Sequence, residues 1–161
     1  MEFVTQIDID TPAEIAWLVL GERFGEIATW SGSLDASHLV GDLGPGAQRV
    51  CRSSQSFGPF PPSEVTEQLR EFDRSSRTLR YEATEGIPRM FEHASNRWTV
   101  EPVGPSRCRV TSTATLKLAW WAKPLGMLMR VMMRGPMRTF TAELREAVER
   151  EAARSDEVRA T

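Results

Sequence analysis

The stretch from Trp121 to Arg150 constrains the fold more than any other part of the chain. It reads WAKPLGMLMRVMMRGPMRTFTAELREAVER, and Leu125, Leu128, Met129, Met132, Met133, Phe140, Leu144 and Val148 recur at steps of three and four, the spacing of one helical face. A helix from Pro124 to Arg150 would span roughly 40 Å at about 1.5 Å per residue, enough to cross a small domain. Pro136 follows Gly135; it lacks an amide proton and its ring opposes the Met132 carbonyl, so a kink is expected midway. The bend would place Met129, Met132 and Met133 on one side and Phe140 on the other.

The residues before this helix alternate as strands do. Glu2 to Asp10 sets Phe3, Thr5, Ile7 and Ile9 on one face, and further strands are predicted at about 35–41, 46–54, 63–73, 77–84, 88–101 and 107–118. Asp10-Thr11-Pro12-Ala13-Glu14 combines a capping side chain, a first-turn proline and an acid, which predicts a short helix over 12–20. A second short helix is expected over 23–29, delivering Trp30. The separators, such as Leu43-Gly44-Pro45-Gly46 and Phe57-Gly58-Pro59-Phe60-Pro61-Pro62, are turn chemistry. Links this short favour an antiparallel meander, because a parallel crossover needs a dozen or more residues. The reading is α+β: one domain over 1–153, with a frayed tail over 154–161.

Composition narrows the function. A chain of 161 residues with a formal net charge of -2 lacks the basic excess of a general nucleic-acid binder, so no nucleic-acid partner is expected. Charge is nonetheless uneven: Lys117, Lys123, Arg130, Arg134 and Arg138 fall between 117 and 142 without an acid. That segment is either a solvated helix face or a peripheral contact with an anionic membrane. The amino terminus lacks the pattern of a signal peptide and no apolar run has the length of a span, so the expected location is cytoplasmic, as monomer or homodimer. Cys51 and Cys108 stand apart and read as structural thiols.

The order is strand, two short helices, six strands and a long helix. With that order, 11–20, Phe24 to Trp30, Gly46-Ala47-Gln48-Arg49, Phe72-Asp73 with Arg77 to Tyr81, Trp98-Thr99-Val100-Glu101-Pro102 and Val110-Thr111 resemble the START and pollen-allergen superfamily. The similarity, over about 3–150, is to its polyketide cyclase/dehydrase-like branch. The resemblance implies a helix-grip fold, a curved seven-stranded antiparallel sheet wrapped around the C-terminal helix. It also implies a cavity for a lipophilic small molecule, with no metal, nucleotide or other cofactor. The middle strands carry Tyr81 but few other aromatics, a departure from aromatic polyketide cyclases.

No GxSxG, HExxH, Walker loop or dinucleotide fingerprint is present, which leaves chemistry by a few polar groups in an apolar cavity. Alternation anchored on Trp98 and Val100 turns Met90, Glu92, Ala94 and Asn96 inward. A carboxylate there would have its charged form disfavoured. Glu92, Tyr81, Asn96 and Arg49 are therefore the candidate catalytic set for cyclisation, dehydration or proton transfer. Trp30, Glu67, Trp98, Ser112, Met129, Met132, Met133 and Phe140 are candidate ligand contacts, with Phe57 and Phe60 on a gating loop and 85–89 as a second gate. Strand 63–73 reads with Val65, Glu67 and Leu69 inward, although a shift of one residue reverses it. A non-catalytic carrier and a chaperone-partner interaction module are the alternatives to an enzyme.

Overall fold

The computed structural model describes residues 1–56 and 60–160, with side chains to 158. Seven strands form one antiparallel sheet: β1 (Glu2–Ile9), β2 (Ala36–Val40), β3 (Gln48–Ser53), β4 (Ser63–Asp73), β5 (Thr78–Glu85), β6 (Phe91–Gly104) and β7 (Arg107–Leu118). Their order is β1-β7-β6-β5-β4-β3-β2. Consecutive strands from β2 to β7 are thus neighbours, as short links require, and only β1 reaches across to β7. The long helix α2 (Gly126–Ala160) packs against this sheet, preceded by a 3-10 segment over Trp120–Leu125. This is the helix-grip architecture.

Between β1 and β2 the chain forms α1 (Ala13–Trp17), a π turn over Leu18–Glu22 and a 3-10 segment over Phe24–Thr29. Pro12 itself occupies the N-cap position and no side chain caps α1, so the capping role expected of Asp10 or Thr11 is not realised. Gly21 lies against Trp17, where a Cβ would overlap the indole. That close approach lets the segment turn under the sheet.

The main core gathers Ile9, Trp17, Phe24, Leu69, Leu79, Trp98, Val100, Val110, Leu144 and Val148 from the sheet, the short helices and the second half of α2. A second cluster, Phe91, Leu118, Ala122, Met129 and Met133, lies under the first half of α2. The helix is continuous through Pro136 and on through 154–160, so the stretch read as a frayed tail is helical.

Two irregularities decide which side chains face inward. In β4 a register shift between Leu69 and Glu71 makes Arg70 the extra residue, so the inward set passes from Val65, Glu67 and Leu69 to Phe72, which stacks on Trp17 at 5.2 Å. In β6 the shift lies between Phe91 and His93. A bulge inserts one residue and reverses alternation beyond it; here that residue is Glu92. Phe91 is therefore buried and Glu92 exposed.

Candidate functional site

The concave face of the sheet does not close fully on α2. Between them lies a cavity of about 480 Å³, within the range of small-molecule sites. Its walls include Phe60, Val65, Cys51, Tyr81, Trp98 and Phe140, with a few polar groups among them.

Those polar groups come from cross-strand registers. Arg49 on β3 is directly opposite Glu67 on β4, and the two form a charge-assisted pair: Arg49 Nε donates to Glu67 Oε2 at 2.7 Å, and Nη2 lies 2.5 Å from the same oxygen. Arg49 Nη1 donates to the Phe24 carbonyl at 3.0 Å. The guanidinium carbon sits 4.0 Å from the Phe24 ring centre and 4.7 Å from that of Tyr81, so both aromatic faces contribute cation–π attraction. Only 4% of the Arg49 side chain is exposed.

Burial alone would lower the proton affinity of Arg49, but the charge of Glu67, with Tyr81 and Cys51, outweighs it and holds the guanidinium above its ordinary value. It is a fixed cation with a fixed counter-charge. Burial likewise pushes the Cys51 thiol to about 12, Arg49 opposing and Glu67 reinforcing the rise. Burial and the Glu67 charge raise the Tyr81 phenol, while Arg49 and the Trp98 side chain pull it partly back. Both groups are neutral near pH 7.

Cys51 Sγ also donates to Glu67 Oε2, at 3.7 Å. Three donor contacts thus converge on Oε2, and among the described residues none reaches Oε1. On β6, Asn96 faces Tyr81 of β5 across the ladder, and its Oδ1 accepts from Ser112 Oγ on β7 at 3.0 Å. That bond leaves the Asn96 amide protons as donors toward the cavity. The site combines one internally neutralised ion pair, one acceptor oxygen and a few neutral donors, all set in apolar walls.

Of the residues expected from the sequence, Arg49, Tyr81, Asn96, Glu67, Trp98, Ser112, Phe140 and Phe60 line this cavity. Trp30 does not. It stacks on Phe140 at 5.1 Å and borders a void of about 10 Å³ beside Phe24, roughly the room of one water. Phe57 lies outside the described residues. Glu92 is corrected: the bulge turns it outward, where Lys117 Nζ is 2.8 Å from its carboxylate and holds it below the ordinary carboxylate value.

The three methionines are corrected too. Met129 and Met133 are buried against Phe91 and Leu118 in the second cluster, and Met132 is 41% exposed. The helix meets the cavity one to two turns later, through Met137, Phe140 and Thr141. Their spacing of three and one was legible on the helical face shared with Leu144. Cys51 and Val65 were legible by parity with Arg49 and Glu67, whereas Ile27 and Leu34, also in the lining, belong to segments without periodicity. Gly86 and Pro88 bring the second gate to the cavity. No three His, Cys, Asp or Glu side chains form a metal-type cluster among the described residues.

A seven-stranded sheet gripping a C-terminal helix around a mostly apolar cavity defines the START-like class of ligand-binding proteins. The chain belongs, within that class, to the family described as polyketide cyclase / dehydrase and lipid transport, whose sequence model matches residues 1–149. Similar solved structures include the Zhui aromatase/cyclase from Streptomyces sp. R1128, at 12% identity and TM-score 0.75 over 93% of this chain and 94% of that one. A START superfamily protein from Mycobacterium smegmatis matches at 12% identity and TM-score 0.75, over 92% and 97%. Norcoclaurine synthase from Thalictrum flavum, in complex with dopamine and hydroxybenzaldehyde, matches at 15% and 0.70, over 93% and 87%. At such identities these structures share the fold. No curated protein matches the chain.

Proposed function

We propose that this protein binds a neutral lipophilic small molecule whose polar end carries a hydroxyl or N–H donor. The observation that carries this reading is the Arg49–Glu67 pair at the cavity wall. An unpaired arginine in an apolar cavity would recruit a carboxylate. Here Glu67 already neutralises it, so an incoming anion would meet Glu67 and lose its hydration without gaining a free cation. A neutral donor instead finds the Oε1 acceptor, and a carbonyl on the same ligand finds Asn96 Nδ2 or the Tyr81 hydroxyl. Phe60, Val65, Trp98 and Phe140 supply the apolar contacts.

A second reading is cofactor-free cyclisation, dehydration or proton transfer on a polyketide-like molecule. It is favoured by Glu67, Tyr81 and Asn96 lining one cavity, an acceptor and two donors around the ligand's polar end. Native mass spectrometry of the purified protein tests the first reading through a co-purified neutral lipophile. Displacement of the neutral dye Nile red by decanol, but not by decanoate, is its second test. Failure of the dye to bind, together with a bare protein mass, would refute it. The catalytic reading requires that Glu67→Gln abolish turnover while the folded variant still binds ligand.

A further inference from the structure

The first half of α2 has two apolar faces. At about 100° per residue, the buried Met129 and Met133 point to the sheet, while Met127 and Val131 lie on the opposite side and Leu128 and Met132 on one flank; Leu128, Val131 and Met132 are 57%, 55% and 41% exposed. Met127 is 76% exposed, and the preceding turn adds Trp120 and Trp121 at 78% and 52%. A helix on a globular surface normally turns a polar face outward. This one turns out apolar side chains, and its polar edge has a single sign: Arg130, Arg134 and Arg138 are exposed with no ion-pair partner among the described residues, and Lys123 precedes them.

We infer that this face docks on an anionic lipid bilayer. Leu128, Val131 and Met127 enter the acyl boundary, Trp120 and Trp121 sit at headgroup depth, and the arginine edge meets lipid phosphates. Charge selects this occupant over a second copy of the chain. A two-fold contact through the face would bring both arginine edges together, and 118–142 contains no acid to relieve them. No described helix is long and apolar enough to cross a membrane, so the contact is peripheral. The inner side of the same helix packs on Phe91 with Phe60 and Ile87 against it, and Phe60 lines the cavity. The docking face therefore backs onto the residues that close this end of the cavity, but the inference stands whatever the cavity holds.

Co-sedimentation of the full chain with phosphatidylcholine vesicles, with and without roughly a quarter phosphatidylglycerol, tests it. Binding to the anionic vesicles should be at least about tenfold tighter and should fall with added salt. Each basic residue near such a surface contributes about fivefold, so R130Q/R134Q should weaken binding about 25-fold. W120S/W121S should lose binding and the blue shift of tryptophan emission. All four side chains are exposed, and unchanged melting temperatures of the variants would establish retained folding. Equal binding to both vesicle types, or none, overturns the inference. So does a dimer in light scattering that W120S/W121S dissociates while vesicles fail to bind, or capture of an acidic polypeptide with no vesicle binding.

Discussion

Replacing Glu67 with glutamine would leave the Arg49 cation buried beside an uncharged partner. The side chains are 4% and 17% exposed, and breaking a buried pair by removing one charge costs about 3–5 kcal/mol. A glutamine oxygen can still accept one neutral hydrogen bond, returning about 1 kcal/mol. The Phe24 carbonyl and the two ring faces still hold the guanidinium. The net loss is about 3 kcal/mol, which for a chain of this length lowers Tm by roughly 6–12 °C. Arg49→Met in the Glu67→Gln background should recover much of that loss, because the uncompensated charge is gone.

Ligand preference should invert in parallel. In the wild type decanol should displace Nile red and decanoate should not. In Glu67→Gln the freed guanidinium gains a charge-assisted bond to decanoate, about 1.5–3 kcal/mol or roughly 10- to 150-fold. Thermal melts and dye titrations on the wild type and the two variants measure both effects. A folded Glu67→Gln protein with unchanged Tm and an unchanged order of ligands would refute the claim that Glu67 neutralises the cavity arginine.

Three further outcomes can be checked. Burial holds the thiols of Cys51 and Cys108 at about 12 and about 11, so neither should react with a disulfide reagent at pH 8 until the protein unfolds, and prompt reaction would contradict their placement. Asp73 accepts from the side chains and amides of Ser75 and Ser76, which lower its pKa from 3.8 to about 2. Its contribution to stability is therefore complete above about 3.8 and is lost as pH falls toward 2. An NMR titration midpoint near the ordinary value would disprove the turn geometry. Gly86 has φ +82 and an added Cβ would run into the Glu64 carbonyl, so Gly86→Ala should cost about 1–3 kcal/mol and disturb dye binding, as seen by melts and Nile red fluorescence.

Strand and helix periodicity were largely written in the chain. The bounds of β4 and β7 fall where alternation and turn residues place them, and the strand order follows from links too short for crossovers. The inward assignment of Trp98 and Asn96 needed only a two-residue period along one strand, and that of Tyr81 the face it shares with Leu79 and Ala83. Glu92 failed for the same reason that they succeeded. Parity propagates until an extra residue interrupts it, and nothing in Met90-Phe91-Glu92-His93 marks the bulge, since any residue can be the unpaired one. The methionines failed differently. A helical stripe names a face but not which part of it is filled by the sheet's end and which part stands over a void.

What the sequence by itself determined is the set of elements, their order, the antiparallel connectivity and the uneven charge of the long helix, because each is a local property of spacing and composition. Only the tertiary structure decided that Arg49 and Glu67 neutralise each other, that Glu92 leaves the cavity for Lys117, and that the first half of α2 turns apolar side chains outward. Those three depend on register between strands and on which side of a helix meets its neighbour. Both are settled by packing among residues distant in the chain, where one inserted residue or a turn of rotation changes the partner.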